Sequence, residues 1–249
     1  MNSPLNNIKH IKLLFSLFLV FVCVIFSPKI GMSQINGTYP PFTKWYQDPL
    51  GTRPIELSSA VGFAWSTVAI AASLIFTKND SGFQNRSSVY WLGGDGFGYK
   101  YPYTNMVASD MGIMYEVRKW MSLGLGWNCF HFNDHVNNVW TTGIMLIARW
   151  YLYKGKKANY FFEYGAGVSY SLHRFPLTGT GWLGDTARTG TKFNFLAKYG
   201  TGIEIHILKQ LSLQYGMRHF HLSNGNISGV KRNPSHDNNG FFIGLIFNY

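Results

Sequence analysis

From about residue 105 to the C-terminus the chain alternates between apolar or aromatic side chains and polar, charged or glycine ones. Over 106–116, Val107, Ser109, Met111, Ile113 and Tyr115 fall on one face, with Asp110, Gly112 and Glu116 opposite. Over 120–131, Met121, Leu123, Leu125 and Trp127 oppose Ser122, Gly124, Gly126 and Asn128. The same alternation runs through 140–152, 160–172, 193–205, 211–223 and 237–249. Successive side chains leave opposite faces of a strand, whereas a helical stripe would repeat every 3.6 positions. The pattern therefore predicts seven strands, each with one apolar, aromatic face.

A soluble sandwich would bury such faces in a core, but two features argue for a lipid surface instead. The strands run roughly 11 to 15 residues, longer than the usual ~5–6 and close to a tilted membrane crossing. Their opposite faces carry Asp110, Arg149, Glu163, Lys198, Glu204 and Arg218, charges that a barrel interior can pair, Arg218 with Glu163 or Glu204. The connections also alternate in length. Short turns fall at Arg118-Lys119, Lys154 to Lys157 and Leu208-Lys209, and longer loops at 132–138, 173–190 and 224–238. Tight turns on one side and longer loops on the other mark an outer-membrane barrel, which needs an even strand count. The segment Ser58–Phe76 supplies the expected eighth strand, with a glycine- and tyrosine-rich loop after it to about residue 104. Its alternation is poor, and its alanines would equally suit a buried helix. The fold expected is all-β: an eight-stranded antiparallel transmembrane β-barrel. A soluble exported barrel with an internal ligand is the rival, and it would turn the odd-numbered aromatics of the last three strands inward.

Lys9 and Lys12 precede the 14-residue apolar run Leu13 to Phe26, followed by Ser27-Pro28 and the small-residue stretch Gly31-Met32-Ser33. This is the order of a secretory signal peptide, cut near Ser33 or Gln34. A membrane anchor is the alternative, though the run is short for a span. The organisation expected is 1–33 signal peptide, 34–57 N-terminal extension of unassigned role, and 58–249 barrel. Cys129 is then the sole remaining cysteine, so no internal disulfide supports the fold. Charged residues make up 13% of the chain, about half the share of a water-soluble domain, as a barrel girdled by lipid permits. The formal charge of +11 becomes +8 once Lys9, Lys12 and Lys29 leave with the signal. A basic chain suits an anionic partner, and export argues against nucleic acid. That leaves phosphorylated lipopolysaccharide, or a merely solvated rim. Nothing in the chain bears on oligomeric state.

The strongest candidate chemistry lies in the last 35 residues. Leu211, Leu213, Tyr215, Met217, His219, His221 and Ser223 share one face of the seventh strand, and Asp237, Asn239, Phe241 and Ile243 one face of the eighth. A base, a hydroxyl and a carboxylate thus meet at the rim of a greasy wall, as an esterase acting on membrane lipid would need. The segment His221-Leu222-Ser223-Asn224 resembles the His-x-Ser-Asn motif of the outer-membrane lipid A 3-O-deacylases. Asn233-Pro234-Ser235-His236-Asp237 resembles that family's second motif, an Asn followed four residues later by the acid. The family usually has Glu where Asp237 stands, and an alignment anchored on the C-terminus puts Asn239 there instead. Gly244, Phe247 and Tyr249 resemble the assembly signal of outer-membrane barrels.

The resemblance implies a serine esterase that removes an ester-linked acyl chain from the lipid A of lipopolysaccharide. Ser223 would be the nucleophile, His221 the base and Asp237 the acid. Asn224, with a backbone N–H such as that of Asn226, would hold the oxyanion, and Asn233 would belong to the substrate-binding set. Neither a cofactor nor a metal is implied. His131, Asp134 and His135 offer metal-ligand chemistry without a second cluster to complete a site. His219 is read as an interfacial residue. Lys231 and Arg232 would grip a lipid A phosphate or simply be solvated. A non-catalytic structural or adhesion barrel of the same size is the functional rival.

Overall fold

The structure, a computed structural model, describes residues 60–79, 83–98, 105–133, 138–175, 189–229, 232–234 and 236–249. The expected signal peptide and the 34–57 extension lie outside the described residues. A helix, α1 (Ala60–Phe76), precedes eight strands: β1 (Ser87–Gly98), β2 (Asn105–Arg118), β3 (Met121–Asn133), β4 (Asn138–Lys154), β5 (Ala158–Phe175), β6 (Thr191–His206), β7 (Leu211–Ser223) and β8 (His236–Asn248). Each strand pairs antiparallel with the next, and β8 pairs with β1 from Ser88↔Asn248 to Gly98↔Asn238, closing the barrel. Closure leaves no open edge, the condition for a sheet to stand in lipid.

The first strand corrects the sequence reading: Ser58–Phe76 is not the eighth strand, because its residues 60–76 form α1. The segment is apolar on every side, with no alternation to commit it to two faces, and it is rich in alanine, the strongest helix former. The real first strand lies in what sequence assigned to a loop. Its sequence SSVYWLGGDGFG does alternate, with Tyr90 and Leu92 buried and Val89 and Trp91 exposed, but Gly93, Gly94, Gly96 and Gly98 blank the signal over its second half.

The faces fall as the alternation predicts. Val107, Ile113, Leu125, Trp140, Ile144, Leu146, Tyr215 and Ile243 point outward and are 49–71% exposed. The odd-numbered aromatics of β6 to β8 lie on the outward face too (Phe193, Tyr215, Phe241 and Phe247 among them), which overturns the inward-facing rival. Outward indoles find hydroxyls on the next strand: Trp91 Nε1 donates to Ser109 Oγ at 3.0 Å and Trp127 Nε1 to Thr142 Oγ1 at 2.6 Å. On a wall in lipid no water would serve those N–H groups.

Inside, a paired charge network fills the middle of the barrel. Arg149 is held by Glu163 at 2.8 Å, Lys198 lies 3.1 Å from Glu163 and 3.6 Å from Asp110, and Arg218 is bonded to Asp110. Arg218 therefore pairs with Asp110, a more distant acid in sequence, and with neither glutamate expected. Its long side chain fits because Gly200 and Gly240 stand directly across from it on the two neighbouring strands. A Cβ at Gly200 would come within 3.0 Å of Arg218 Cα and Cβ. Aromatic and aliphatic residues, among them Tyr90, Phe130, Phe161, Phe220 and Phe242, complete the interior.

Helix α1 lies against the outer wall. Trp150 Nε1, on the outward face of β4, donates to Ser73 Oγ at 3.1 Å. Arg118, at the short turn after β2, donates to Leu74 O at 2.6 Å and to Thr77 O at 3.2 Å, satisfying carbonyls at the helix C-terminus. Ser66 and Ser73 are buried while Phe63, Trp65 and Phe76 are exposed. No helix among the described residues is long and apolar enough to cross a membrane.

The interior network yields a test. Glu163→Gln would leave Arg149 and Lys198 short of a counter-charge in the buried interior, a loss of about 3–5 kcal/mol. The expected result is a clearly lower temperature for conversion of the folded gel band, run without boiling, to the unfolded one. An unchanged transition would show that water or Asp110 replaces the lost charge.

Candidate active site on the outer wall

Residues of odd number on β7 and β8 face outward, and the antiparallel register sets them in cross-strand pairs. Tyr215 is opposite Ile243, Met217 opposite Phe241, His219 opposite Asn239 and His221 opposite Asp237. Towards the long-loop end the wall thus changes from greasy to polar within two pairs, while keeping the same parity. The polar residues are hidden even so: His219, His221, Ser223, Asp237 and Asn239 are each 5% exposed or less.

Their hydrogen bonds form two linked groups. In the first, His221 Nδ1 lies 2.5 Å from Asp237 Oδ1, and His219 Nε2 lies 3.2 Å from the same oxygen. His219 Nδ1 reaches Asn239 Oδ1 at 2.7 Å, and its ring stacks on Tyr199 of β6 with centroids 4.6 Å apart. The carboxyl group beside His221 is therefore that of Asp237, while Asn239 serves His219. The expected interfacial role for His219 is corrected: its ring tip meets protein, not a water–lipid boundary.

The second group surrounds Ser223. Its hydroxyl donates to Asn233 Oδ1 at 3.0 Å, and its Oγ accepts the Gly225 N–H at 3.1 Å. Asn233 Oδ1 also takes the Asn224 N–H at 3.0 Å, and Asn233 Nδ2 donates to Asn226 Oδ1 at 2.7 Å. Asn224 Nδ2 donates to Thr191 Oγ1 at 3.1 Å and to Arg232 O at 2.8 Å, and its Oδ1 accepts the Asn226 N–H at 2.9 Å. The turn is sharp because Gly225 and Asn226 both adopt φ of +63°, a left-handed conformation that glycine and asparagine tolerate best.

All six residues singled out in the sequence thus share one neighbourhood, in an arrangement that differs in detail from the simplest expectation. The Ser223 hydroxyl is turned to Asn233, and His221 Nε2 is buried with no hydrogen-bond partner among the described residues. The Asn224 amide and the Asn226 N–H, expected to face an oxyanion, are committed within the loop. Sequence reading gave no role to Thr191, Tyr199 or Gly225. Tyr199 could have been found, since it shares its strand's outward parity, whereas Thr191 and Gly225 depend on loop geometry. Arg232 is exposed, and Lys231, Ser235, Asp134 and His135 lie outside the described residues. His131 lies against Trp140, with ring centroids 4.5 Å apart.

One donor set among the described residues could hold a metal: His219, His221 and Asp237 bring ligand atoms within 4.8 Å of one another. It fits an ion poorly. Ligands of one tetrahedral zinc stand roughly 3.3 Å apart when the metal bonds are about 2.0–2.1 Å. His221 Nδ1 and Asp237 Oδ1 are 2.5 Å apart, the separation of a short charge-assisted hydrogen bond.

A closed antiparallel barrel with an apolar exterior, bearing His221, Ser223 and Asp237 at the rim of its outer wall, defines an outer-membrane β-barrel protein. The family model of the lipid A 3-O-deacylases (PagL) matches residues 106–245, and the chain belongs to that family. No curated protein sequence matches. Among solved structures, the outer-membrane enzyme PagL is 14% identical, with 64% of this chain and 98% of that one covered and a TM-score of 0.42. Neisserial surface protein A is 7% identical over 66% and 96% (TM-score 0.48), and the OprF barrel domain of Pseudomonas aeruginosa 14% over 67% and 100% (TM-score 0.40). Likenesses this distant carry no functional information.

Asn233 offers the sharpest test of the loop. Asn233→Ala strips partners from the Ser223 hydroxyl, the Asn224 N–H and the Asn226 side chain, at about 1–3 kcal/mol for each buried group left unsatisfied. Trypsin should then cut the folded barrel after Arg232 markedly faster than in the parent. Equal cleavage rates would mean that Asn233 does not anchor the loop.

Proposed function

We propose that the protein is a serine esterase that hydrolyses the 3-O-linked acyl ester of lipid A at the external rim of the barrel. The observation that carries this reading is His221. One ring nitrogen is fixed on the Asp237 carboxylate, and the other is buried and without a partner among the described residues, on the same wall as Ser223. A carboxylate on Nδ1 holds the tautomer that leaves Nε2 as the base, and it stabilises the imidazolium once a proton arrives.

Ser223 and His221 are two positions apart on one strand, so their Cβ atoms are separated by roughly 7 Å, a gap these side chains can bridge. In the substrate-free arrangement the hydroxyl rests on Asn233. A side-chain rotation carries it from Asn233 Oδ1 to His221 Nε2. Oγ then attacks the ester carbonyl while His221 takes the proton, later returned to the departing sugar hydroxyl. The Gly225 N–H, 3.1 Å from Oγ, is the donor best placed to receive charge that develops beside the new bond. The Asn224 amide and Asn226 N–H become further donors only if the loop opens. The acyl chain would lie along the greasy outward wall below, against Met217 and Phe241, with no need to leave the bilayer.

The test is to express the full-length chain beside Ser223→Ala in a lipopolysaccharide-bearing host and take mass spectra of the extracted lipid A. The parent should remove one 3-O-acyl mass, and the variant should remove none while keeping its folded gel band. Lipid A left intact by a folded parent would favour the rival, a non-catalytic outer-membrane barrel.

A further inference from the structure

Resting on that reading, we infer that His219 is a positioning residue: it holds the Asp237 carboxylate so that its Oδ1 meets Nδ1 of His221. An ionised carboxylate only accepts hydrogen bonds, so His219 Nε2, 3.2 Å from Asp237 Oδ1, must carry a proton and donate it.

Three strands fix the donor. His219 stands on β7, its Nδ1 is tied at 2.7 Å to Asn239 directly across on β8, and its ring face is stacked within 20° of parallel on Tyr199, directly across on β6. The bond to Asp237 then runs diagonally to the next pair along the wall, where Asp237 faces His221. Two N–H groups converge on one carboxylate oxygen, one from the base and one from a ring that cannot turn. The second limits how far the short Asp237 side chain can swing from His221.

Burial argues against a simpler role. A histidine serving the membrane interface would keep its polar tip in water. His219 is 2% exposed with both nitrogens bonded, a costly arrangement on a lipid-facing wall unless the bonds serve something there. It does not touch the reacting atoms and acts through Asp237.

The test compares His219→Phe, His219→Gln and Asn239→Ala in the purified full-length protein, with lipopolysaccharide as substrate. In His219→Phe kcat should fall by about tenfold to a hundredfold, the scale of a small misplacement in a reacting group, with KM within about twofold of the parent. His219→Gln, whose amide N–H can stand in for Nε2–H, should recover most of the loss. Asn239→Ala, which loosens the ring without removing it, should lower kcat several-fold, and it decides the matter if His219→Phe does not fold. Parental kcat in a folded His219→Phe, a change confined to KM, or equal losses in the Phe and Gln variants would overturn the assignment. An inactive parent would remove the esterase reading and this one together, whereas an active parent with indifferent variants removes only this one.

Discussion

Everything in this chain follows from the need to satisfy backbone hydrogen bonds where there is no water. A sheet in lipid must close, and β8 returning to β1 across eleven register pairs closes it. Closure then divides each strand into an inward and an outward set of side chains. The inward set can be charged only if the charges meet, as Asp110, Glu163, Arg149, Lys198 and Arg218 do, with glycines opposite to make room. The outward set is mostly greasy, with scattered hydroxyls such as Ser109 and Thr142 taken by tryptophans, and its polar residues gather at one end of β7 and β8.

That polar end is where the proposed function concentrates. A polar cluster on the outer wall breaks the rule that governs most of the surface, and it is tolerated because its members largely satisfy one another, His221 Nε2 being an exception among the described residues. Asp237 serves two histidines, Asn239 serves one of them, and Asn233 ties Ser223 to the loop. Parity makes the arrangement coherent. Because Ser223, His221 and Asp237 share the outward face with Tyr215 and Phe241, a hydrolytic centre here faces an acyl chain that is still in the membrane. One residue of register slip would turn all three inward, into the charge network.

How much of this was legible in the sequence depended on whether the information was periodic. Strands β2 to β8 and their facing follow from alternation, since a period of two leaves little freedom once the turns are placed; the same parity put Asp237 and Asn239 alike on the outward face, and only the register sets Asp237 opposite His221. The first strand did not follow, because four glycines erase its pattern while a nearby alanine-rich segment offered a decoy. The partner of Arg218 was misread because ion pairs across a barrel lumen join strands distant in sequence, and only closure brings Asp110 within reach. Tyr199 stacking on His219 is likewise a contact between neighbours in the sheet, set by a register that no motif encodes. The loop bonds of Asn224 and Asn226 depend on two consecutive left-handed residues, which composition permits without specifying.

The loop also separates the resting arrangement from a reactive one. The Ser223 hydroxyl is bonded to an amide oxygen and His221 Nε2 has no partner among the described residues, so on the proposed reading a rotation of Ser223 connects the two states. Asn233 links that rotation to the loop, because the same oxygen that accepts the Ser223 proton also accepts the Asn224 N–H. On the proposed reading, the turn of Ser223 towards His221 gives up one of the two bonds that Asn233 Oδ1 accepts and leaves the other, to the Asn224 N–H, holding the loop.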